Sequence, residues 1–138
     1  MEFFAVSSAQ LRAEELQRHV RIDNLPQWCA SIEKVLDHEG ERGNVYSVWG
    51  EFRIRREVIH EGVRFTLPGC INALQWTLTA GAEGVTIHAT INRKQHDPDF
   101  IESLEQFVAD WQHGLDAGLA RIRKGPDRNI PDCGLWIA

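Results

Sequence analysis

The stretch from Asp97 to Lys124 is the feature that most constrains how this chain can fold. Asp97 and Pro98 are typical of a helix start, and Gly125 and Pro126 of a helix stop. Between them, apolar side chains recur every three or four residues and fall on one stripe: Phe100, Leu104, Phe107, Val108, Trp111, Leu115, Leu119 and Ile122. The pattern predicts a long amphipathic helix, whose apolar face needs a sheet or other helices to cover it.

A change in the spacing of the apolar residues, to every second position, predicts that sheet directly before the helix. Apolar and polar residues alternate in four runs separated by turn signals, at 45–59, 63–67, 74–79 and 85–92. In the first run the apolar positions are even-numbered, and Gly50 is a candidate for a bulge or a sharp bend. With a short strand at residues 2–6, the runs predict an antiparallel meander of four to five strands with one dry face.

Two helices are predicted before the meander. Ser7 and Gln10 form a capping-box pattern, which indicates a helix that runs to about Arg21. Pro26 then stands near the first position of a second helix. The apolar face of that helix is formed by Trp28, Cys29, Ile32, Val35 and Leu36. The predicted fold class is therefore α+β, with one domain over residues 1–138 and the helices packed on one face of the sheet.

This order of elements is similar to that of helix-grip, or START-like, ligand-binding folds. Those folds usually have more strands between their helices than the four or five counted here. The resemblance rests on element order alone, without a shared motif, and fold does not determine function. It implies a ligand-binding role as an expectation.

Composition narrows the classes of function. The formal net charge is −5, which argues against nucleic-acid binding, since that usually leaves a basic footprint. No apolar run is long enough for a transmembrane helix and no secretory signal is recognisable, so a cytoplasmic location is expected. The chain has no cofactor motif, and its six histidines and three cysteines show no metal-ligand spacing. We therefore expect no metal, no cofactor, no nucleic acid and no membrane partner.

The polar face of the meander is the candidate ligand-binding surface. With tight hairpins, Thr77 is expected opposite His88. Likewise, Gln75 is expected opposite both Arg64 and Thr90. The surface offers hydrogen-bond donors and acceptors, an imidazole and an aromatic wall, as a small-molecule site needs. Its members are Trp49, Arg53, Arg64, Gln75, Thr77, His88 and Thr90. A plain solvent-exposed sheet face is the alternative interpretation.

His88 is the candidate catalytic residue. An imidazole titrates near neutral pH, as a general acid or base requires, and Arg64 or Arg53 could anchor an anionic substrate. No carboxylate on its own strand could orient His88, and Glu51 or Glu57 could do so only if the first run lies near. Two hypotheses therefore stay open. One is a small ligand-binding or protein-interaction domain, and the other is a small enzyme that uses His88.

Two glycines inside the long helix indicate a close contact. Gly114 and Gly118 each cost about 1 kcal/mol relative to alanine in a helix interior. A bulky sheet residue such as Trp76, or a partner helix, is expected to pack there. The second alternative favours a homodimer, and the apolar terminus at 135–137 is expected to dock on the domain or on a second subunit.

Two further polar clusters are interpreted as structural. The cluster at 93–97 includes the cap of the long helix, which supplies its own negative group. The arginine doublet at 55–56 is interpreted as part of a strand edge that pairs with Glu51 and Glu57.

Overall fold

The computed structural model describes residues 1–92 and 97–124. The strands in this part of the chain are β1 (Glu2–Ser7), β2 (Ile32–Glu39), β3 (Arg42–Ser47), β4 (Gly50–Ile59), β5 (Gly62–Thr66), β6 (Gln75–Gly81) and β7 (Gly84–Thr90). The helices are α1 (Ala13–His19), α2 (Leu25–Trp28) and α3 (Pro98–Lys124), and a 3₁₀ turn (Ile22–Asn24) precedes α2. All the strands pair antiparallel in one sheet, in the order β1-β7-β6-β5-β4-β3-β2.

The long C-terminal helix lies where the sequence predicts it. α3 begins at Pro98, and the carboxylate of Asp97 accepts a hydrogen bond from the main-chain N–H of Asp99 at 2.8 Å. Phe107 and Trp111 are fully buried against the face of the sheet that α3 covers, which we call the inner face. The α+β class and the C-terminal helix are therefore confirmed.

The predicted number of strands, four to five, is wrong, because the sheet has seven. The difference arises at two places. The run 45–59 is a hairpin of two strands, and part of the predicted second helix is a strand.

The run 45–59 reverses direction at its middle. β3 ends at Ser47, and β4 begins at Gly50, whose φ of +109° suits glycine in a tight turn. The reversal changes which positions face inward, so Val45 and Ile54 are buried while Tyr46 is 42% exposed. Gly50 thus marks the turn of a hairpin, a sharper change than the predicted bulge or bend.

The second predicted helix is mostly wrong. α2 ends at Trp28, and Ile32 already belongs to β2, which pairs with β3. Two register irregularities, between Ile32 and Lys34 and between Val35 and Asp37, interrupt the alternation along this strand. Because these bulges shift the apolar positions, their spacing in sequence resembles that of a helix.

The first predicted helix begins later than expected. Ser7 ends β1, where its hydroxyl donates to Asp116 of α3 and accepts from the N–H of Ala9 at 3.1 Å. α1 starts at Ala13, and Glu15 accepts the main-chain N–H of Arg12 at 2.9 Å. The hydroxyl that was expected to cap a helix therefore joins β1 to α3.

A close contact within this chain explains why α3 contains two glycines. A Cβ at Gly114 would lie 1.7 Å from the main-chain oxygen of Trp28, and one at Gly118 would lie 2.1 Å from the indole of Trp28. The close neighbour is thus α2, and neither Trp76 nor a partner helix. The glycines no longer support a homodimer, which stays a prediction.

Arg56 is buried on the inner face, although the doublet was interpreted as a strand edge. Its Nε donates to the carbonyl of Val20 at 2.9 Å, and one terminal nitrogen lies 2.6 Å from the Glu41 carboxylate. The other terminal nitrogen donates to the carbonyl of Gln17. One guanidinium therefore fixes the end of α1 to the sheet.

Several sequence expectations lie outside the described residues. These are the docking of residues 135–137 and the cluster at 93–96. Among the helices that the structure does describe, none has the length and apolarity needed to cross a bilayer.

Candidate functional site

The polar face of β5, β6 and β7 carries most of the predicted ligand-binding residues, and we call this side of the sheet the outer face. Thr77 lies opposite His88 and Gln75 opposite Thr90, as predicted. Arg64 lies opposite Thr77, so its predicted pairing with Gln75 is wrong. The connection between β5 and β6 spans residues 67–74, and it is too long to set the register of a tight hairpin.

Trp49 does not belong to the outer face, contrary to the prediction. It lies in the turn between β3 and β4, and its ring contacts Phe107 at 5.2 Å and Phe100 at 6.2 Å between centroids. Its indole N–H donates to the Ser103 hydroxyl at 2.8 Å. The hairpin at Gly50 turns this side chain toward α3.

His88 has a carboxylate partner that the sequence did not reveal. Its Nε2 lies 2.7 Å from Oε1 of Glu2, and its ring stacks on Phe4 with centroids 4.3 Å apart. Glu2 and Phe4 both belong to β1, the first strand of the chain, which pairs with β7, the last strand. Alternation could have placed Glu2 and Phe4 on one face of a strand, but no local signal shows which strand lies beside β1.

The arginines of the outer face have different surroundings. A terminal nitrogen of Arg64 lies 3.9 Å from Glu57, while its buried Nε has no partner among the described residues. Arg53 lines an open cleft of about 360 Å³, together with Arg42 and Arg55. The two predicted anion anchors therefore lie in separate places.

The outer-face set is not gathered into one concave site. Five open clefts on the described surface have volumes between 280 and 440 Å³. Arg53 lines two of them, but Arg64, Thr77 and His88 line none of the five. The geometry supplies His88 with a carboxylate, and none of these five clefts on the described surface reaches it.

A cluster of aromatic rings occupies the space between the inner face and α3. We call it the aromatic layer, and its members are Trp49, Phe65, Trp76, Phe100, Phe107 and Trp111. Trp76 meets Phe107 at 4.8 Å in an edge-to-face arrangement and lies 6.3 Å from Trp111. Trp49 and Phe100 are half-buried and form the rim of the layer near the β3–β4 turn.

Two polar atoms in the aromatic layer are unusual. The indole N–H groups of Trp76 and Trp111 are buried and have no hydrogen-bond partner in the described part of the chain. A buried donor without an acceptor costs about 1–3 kcal/mol. Trp28, on α2, has the third such N–H, but its ring packs at Gly118, outside the layer.

The thiol of Cys29 and the arrangement of metal-ligating side chains bear on nucleophilic and metal chemistry. Burial raises the pKa of the Cys29 thiol to about 12, so it stays protonated at neutral pH and is a poor nucleophile. No group of three or more metal-ligating side chains occurs among residues 1–92 and 97–124.

No protein-family model matches this chain, and no curated protein matches it. Solved structures do resemble it. An uncharacterized protein from Bacillus thuringiensis has a TM-score of 0.61 at 14% identity, with 87% of this chain and 99% of that chain covered. A START superfamily protein from Mycobacterium smegmatis has a TM-score of 0.60 at 11% identity, with 88% and 97% covered.

A third similar structure is a protein of the dynemicin biosynthetic locus, with a TM-score of 0.56 at 17% identity. The match covers 86% of this chain and 47% of that one. At such identities the likeness shows the fold alone. The fold is START-like: an antiparallel sheet and a long C-terminal helix enclose the aromatic layer, as the order of elements in the sequence indicated.

Proposed function

We propose that this protein binds a small, largely apolar molecule that carries a hydrogen-bond acceptor, such as a carbonyl group. The site is the aromatic layer between the inner face and α3. The START-like fold of the similar structures supports a ligand-binding role. The observation that carries the proposal is the pair of buried, unpartnered N–H groups of Trp76 and Trp111.

The chemistry of the ligand follows from the lining. Aromatic rings favour an apolar or aromatic body, and buried N–H donors without a partner favour a ligand that carries a hydrogen-bond acceptor. Buried polar groups in folded proteins nearly always have a partner, so donors left without one need an explanation. A ligand acceptor would satisfy these N–H groups and gain affinity where an all-hydrocarbon molecule could not.

Entry to the layer requires a side chain to move. Trp49 is the best candidate, because it lies at the rim, in the turn between β3 and β4, and its indole is bonded to Ser103 of α3. Rotation of this ring outward would open the layer next to Phe107 without disturbing the ladder of the sheet.

The experiment compares two probes that differ in the acceptor. 1-Acetonaphthone carries a carbonyl group, and 1-ethylnaphthalene has a similar shape without one. Calorimetric titration is expected to show tighter binding of the ketone by about 2–10-fold, which corresponds to a net hydrogen bond of about 0.5–1.5 kcal/mol.

Matched tryptophan variants test where the acceptor binds. Trp76→Phe and Trp111→Phe each remove one N–H but keep an aromatic ring, and both are expected to reduce the ketone preference. Trp28→Phe removes the third unpartnered indole N–H, which lies outside the layer, and is expected to leave the preference unchanged. Equal affinity of the wild-type protein for both probes, or loss of the preference in Trp28→Phe alone, would contradict the proposal.

The His88–Glu2 pair favours a second candidate, a small enzyme with His88 as general acid or base. Glu2 could hold the imidazole in one orientation, as such a role requires. General acid or base catalysis contributes about 10²–10⁴-fold, so any turnover that the purified protein shows should fall at least 100-fold in His88→Gln. Turnover that persists in this variant would exclude His88.

A further inference from the structure

The strand β1 forms one edge of the sheet, and within the described part of the chain no second strand pairs with its outward main-chain groups. Met1 and Ile91 exchange both of their main-chain hydrogen bonds, at 3.1 and 3.0 Å. Hydrogen-bonded pairs recur at every second residue of an antiparallel ladder. The N–H and C=O groups of Glu2, Phe4 and Val6 therefore point away from β7, toward the open edge.

Apart from Glu2, the outer-face side chains along this edge carry no charge. Phe4 is 61% exposed and Val6 is 47% exposed on the outer face. Natural edge strands are usually protected from pairing by charges, bulges or a covering element. The opposite edge, β2, follows that rule, since it carries two register irregularities and five charged or titratable side chains: Glu33, Lys34, Asp37, His38 and Glu39.

A cleft lies beside β1 under α3. It has a volume of about 440 Å³, and its lining includes the apolar residues Phe3, Ala5, Val108 and Ala109 and the polar residues Glu105 and Gln112. An added strand would direct alternate side chains into this cleft and the others onto the outer face. No strand among residues 1–92 and 97–124 pairs with this edge, and the cleft offers a place for the side chains of an added strand.

We propose that the occupant is β1 of a second copy of this chain, paired antiparallel with Phe4 opposite Phe4. In this register Glu2 lies opposite Val6 of the second copy, and Val6 opposite Glu2. The edge is self-complementary, because the same three residues of both copies supply outward main-chain groups. A continuous sheet across a two-fold axis results.

Charge favours this antiparallel arrangement over a parallel one. The two Glu2 residues lie four positions apart along the paired strands, about 14 Å at 3.4 Å per residue. This exceeds the Debye length of about 8 Å at physiological ionic strength. In a parallel pairing in register the two carboxylates would be neighbours, and like charges in direct opposition are unfavourable. Each Glu2 also keeps its own partner, His88.

The inner face completes the fit. In the proposed register Phe3 lies opposite Ala5 of the second copy, so a large side chain faces a small one. Ala109 of α3, which lines the cleft, is small as well. The aromatic ring of each copy can thus pack at the cleft of the other without a clash between two bulky groups.

Sedimentation equilibrium over a range of protein concentrations tests the proposal. The average mass should rise from the 15.7 kDa of one chain toward twice that value. Phe4→Lys places two lysines directly opposite each other and should weaken the dimer at least tenfold. Val58→Lys is the matched control, because Val58 is 56% exposed but lies on β4, whose neighbours are already paired.

Two further measurements test the register. Val6→Lys places its ammonium opposite Glu2 of the second copy and should leave the dimer intact or strengthen it. Amide hydrogen exchange at Phe4 and Val6 should slow as the concentration rises, while exchange at Phe3 stays slow throughout. A protein that is monomeric at all concentrations, a dimer that Phe4→Lys does not weaken, or an edge that pairs only with other proteins would overturn the proposal.

Discussion

Replacement of Arg56 by alanine is expected to destabilise the protein by about 3–5 kcal/mol, near the middle of the range of about 2–6 kcal/mol for two main-chain carbonyls that lose their donor. The guanidinium is 6% exposed and donates to the carbonyls of Gln17 and Val20 and to the Glu41 carboxylate. Each main-chain carbonyl left without a partner costs about 1–3 kcal/mol. Glu41 adds little, because its side chain is 51% exposed and water can replace the arginine.

Urea unfolding followed by tryptophan fluorescence measures this effect. With an m-value of about 2 kcal/mol/M, the midpoint should fall by about 1.5–2.5 M. Arg56→Met keeps the aliphatic stem and removes the donors, so it separates packing from hydrogen bonding. It should retain only a small part of the lost stability.

Arg55→Ala is the matched control for this prediction. Arg55 is the next residue on β4, and its side chain is exposed on the outer face. Its removal should change stability by no more than about 0.5 kcal/mol. If Arg56→Ala lost less than about 1 kcal/mol relative to Arg55→Ala, the structural role assigned to the buried guanidinium would be refuted.

Three other predictions follow from buried contacts. Gly118→Ala should destabilise the protein by about 1–3 kcal/mol despite the better helix propensity of alanine, because the added Cβ meets the Trp28 indole. Denaturant titration measures this loss, and Ala117→Ser, at an exposed position of the same helix, is the control. Cys29 should resist alkylation in the native protein at pH 8 and react once the protein is unfolded, as peptide mass spectrometry can show; rapid native labelling would contradict its burial. Desolvation and two nearby arginines lower the pKa of His19, so the unfolded state binds more protons than the folded state as the pH falls below about 6.5. The stability that this histidine contributes is complete above that pH and is lost below it, and His19→Gln should therefore lose less stability than the wild type between pH 7 and pH 5.

The candidate site was only partly predictable from the sequence. Alternation placed Thr77, His88 and Thr90 correctly on the outer face, since the hairpin between β6 and β7 is tight and keeps its register. Trp49 was placed on the wrong side of the sheet, because one turn at Gly50 reverses the chain. After the turn, the inward-facing positions change between odd and even residue numbers. A period of two cannot by itself reveal where an alternating run turns back.

The contacts that define the aromatic layer and the His88 environment come from residues distant in sequence. Glu2 and His88 are 86 positions apart, and Trp49 and Ser103 are 54 apart. Their encounters depend on which strand forms the edge of the sheet and on how α3 crosses the inner face. No local propensity carries that information.

The sequence by itself determined the α+β class, the start and buried face of α3 and the inner residues of β5, β6 and β7, because amphipathic periodicity reports which side of an element is buried. Only the tertiary structure decided that the sheet has seven strands, that Trp28 packs against the two glycines of α3, and that Arg56 is buried. These outcomes depend on strand pairing and side-chain packing between distant segments, where a bulge, a turn or a long loop overrides the local pattern.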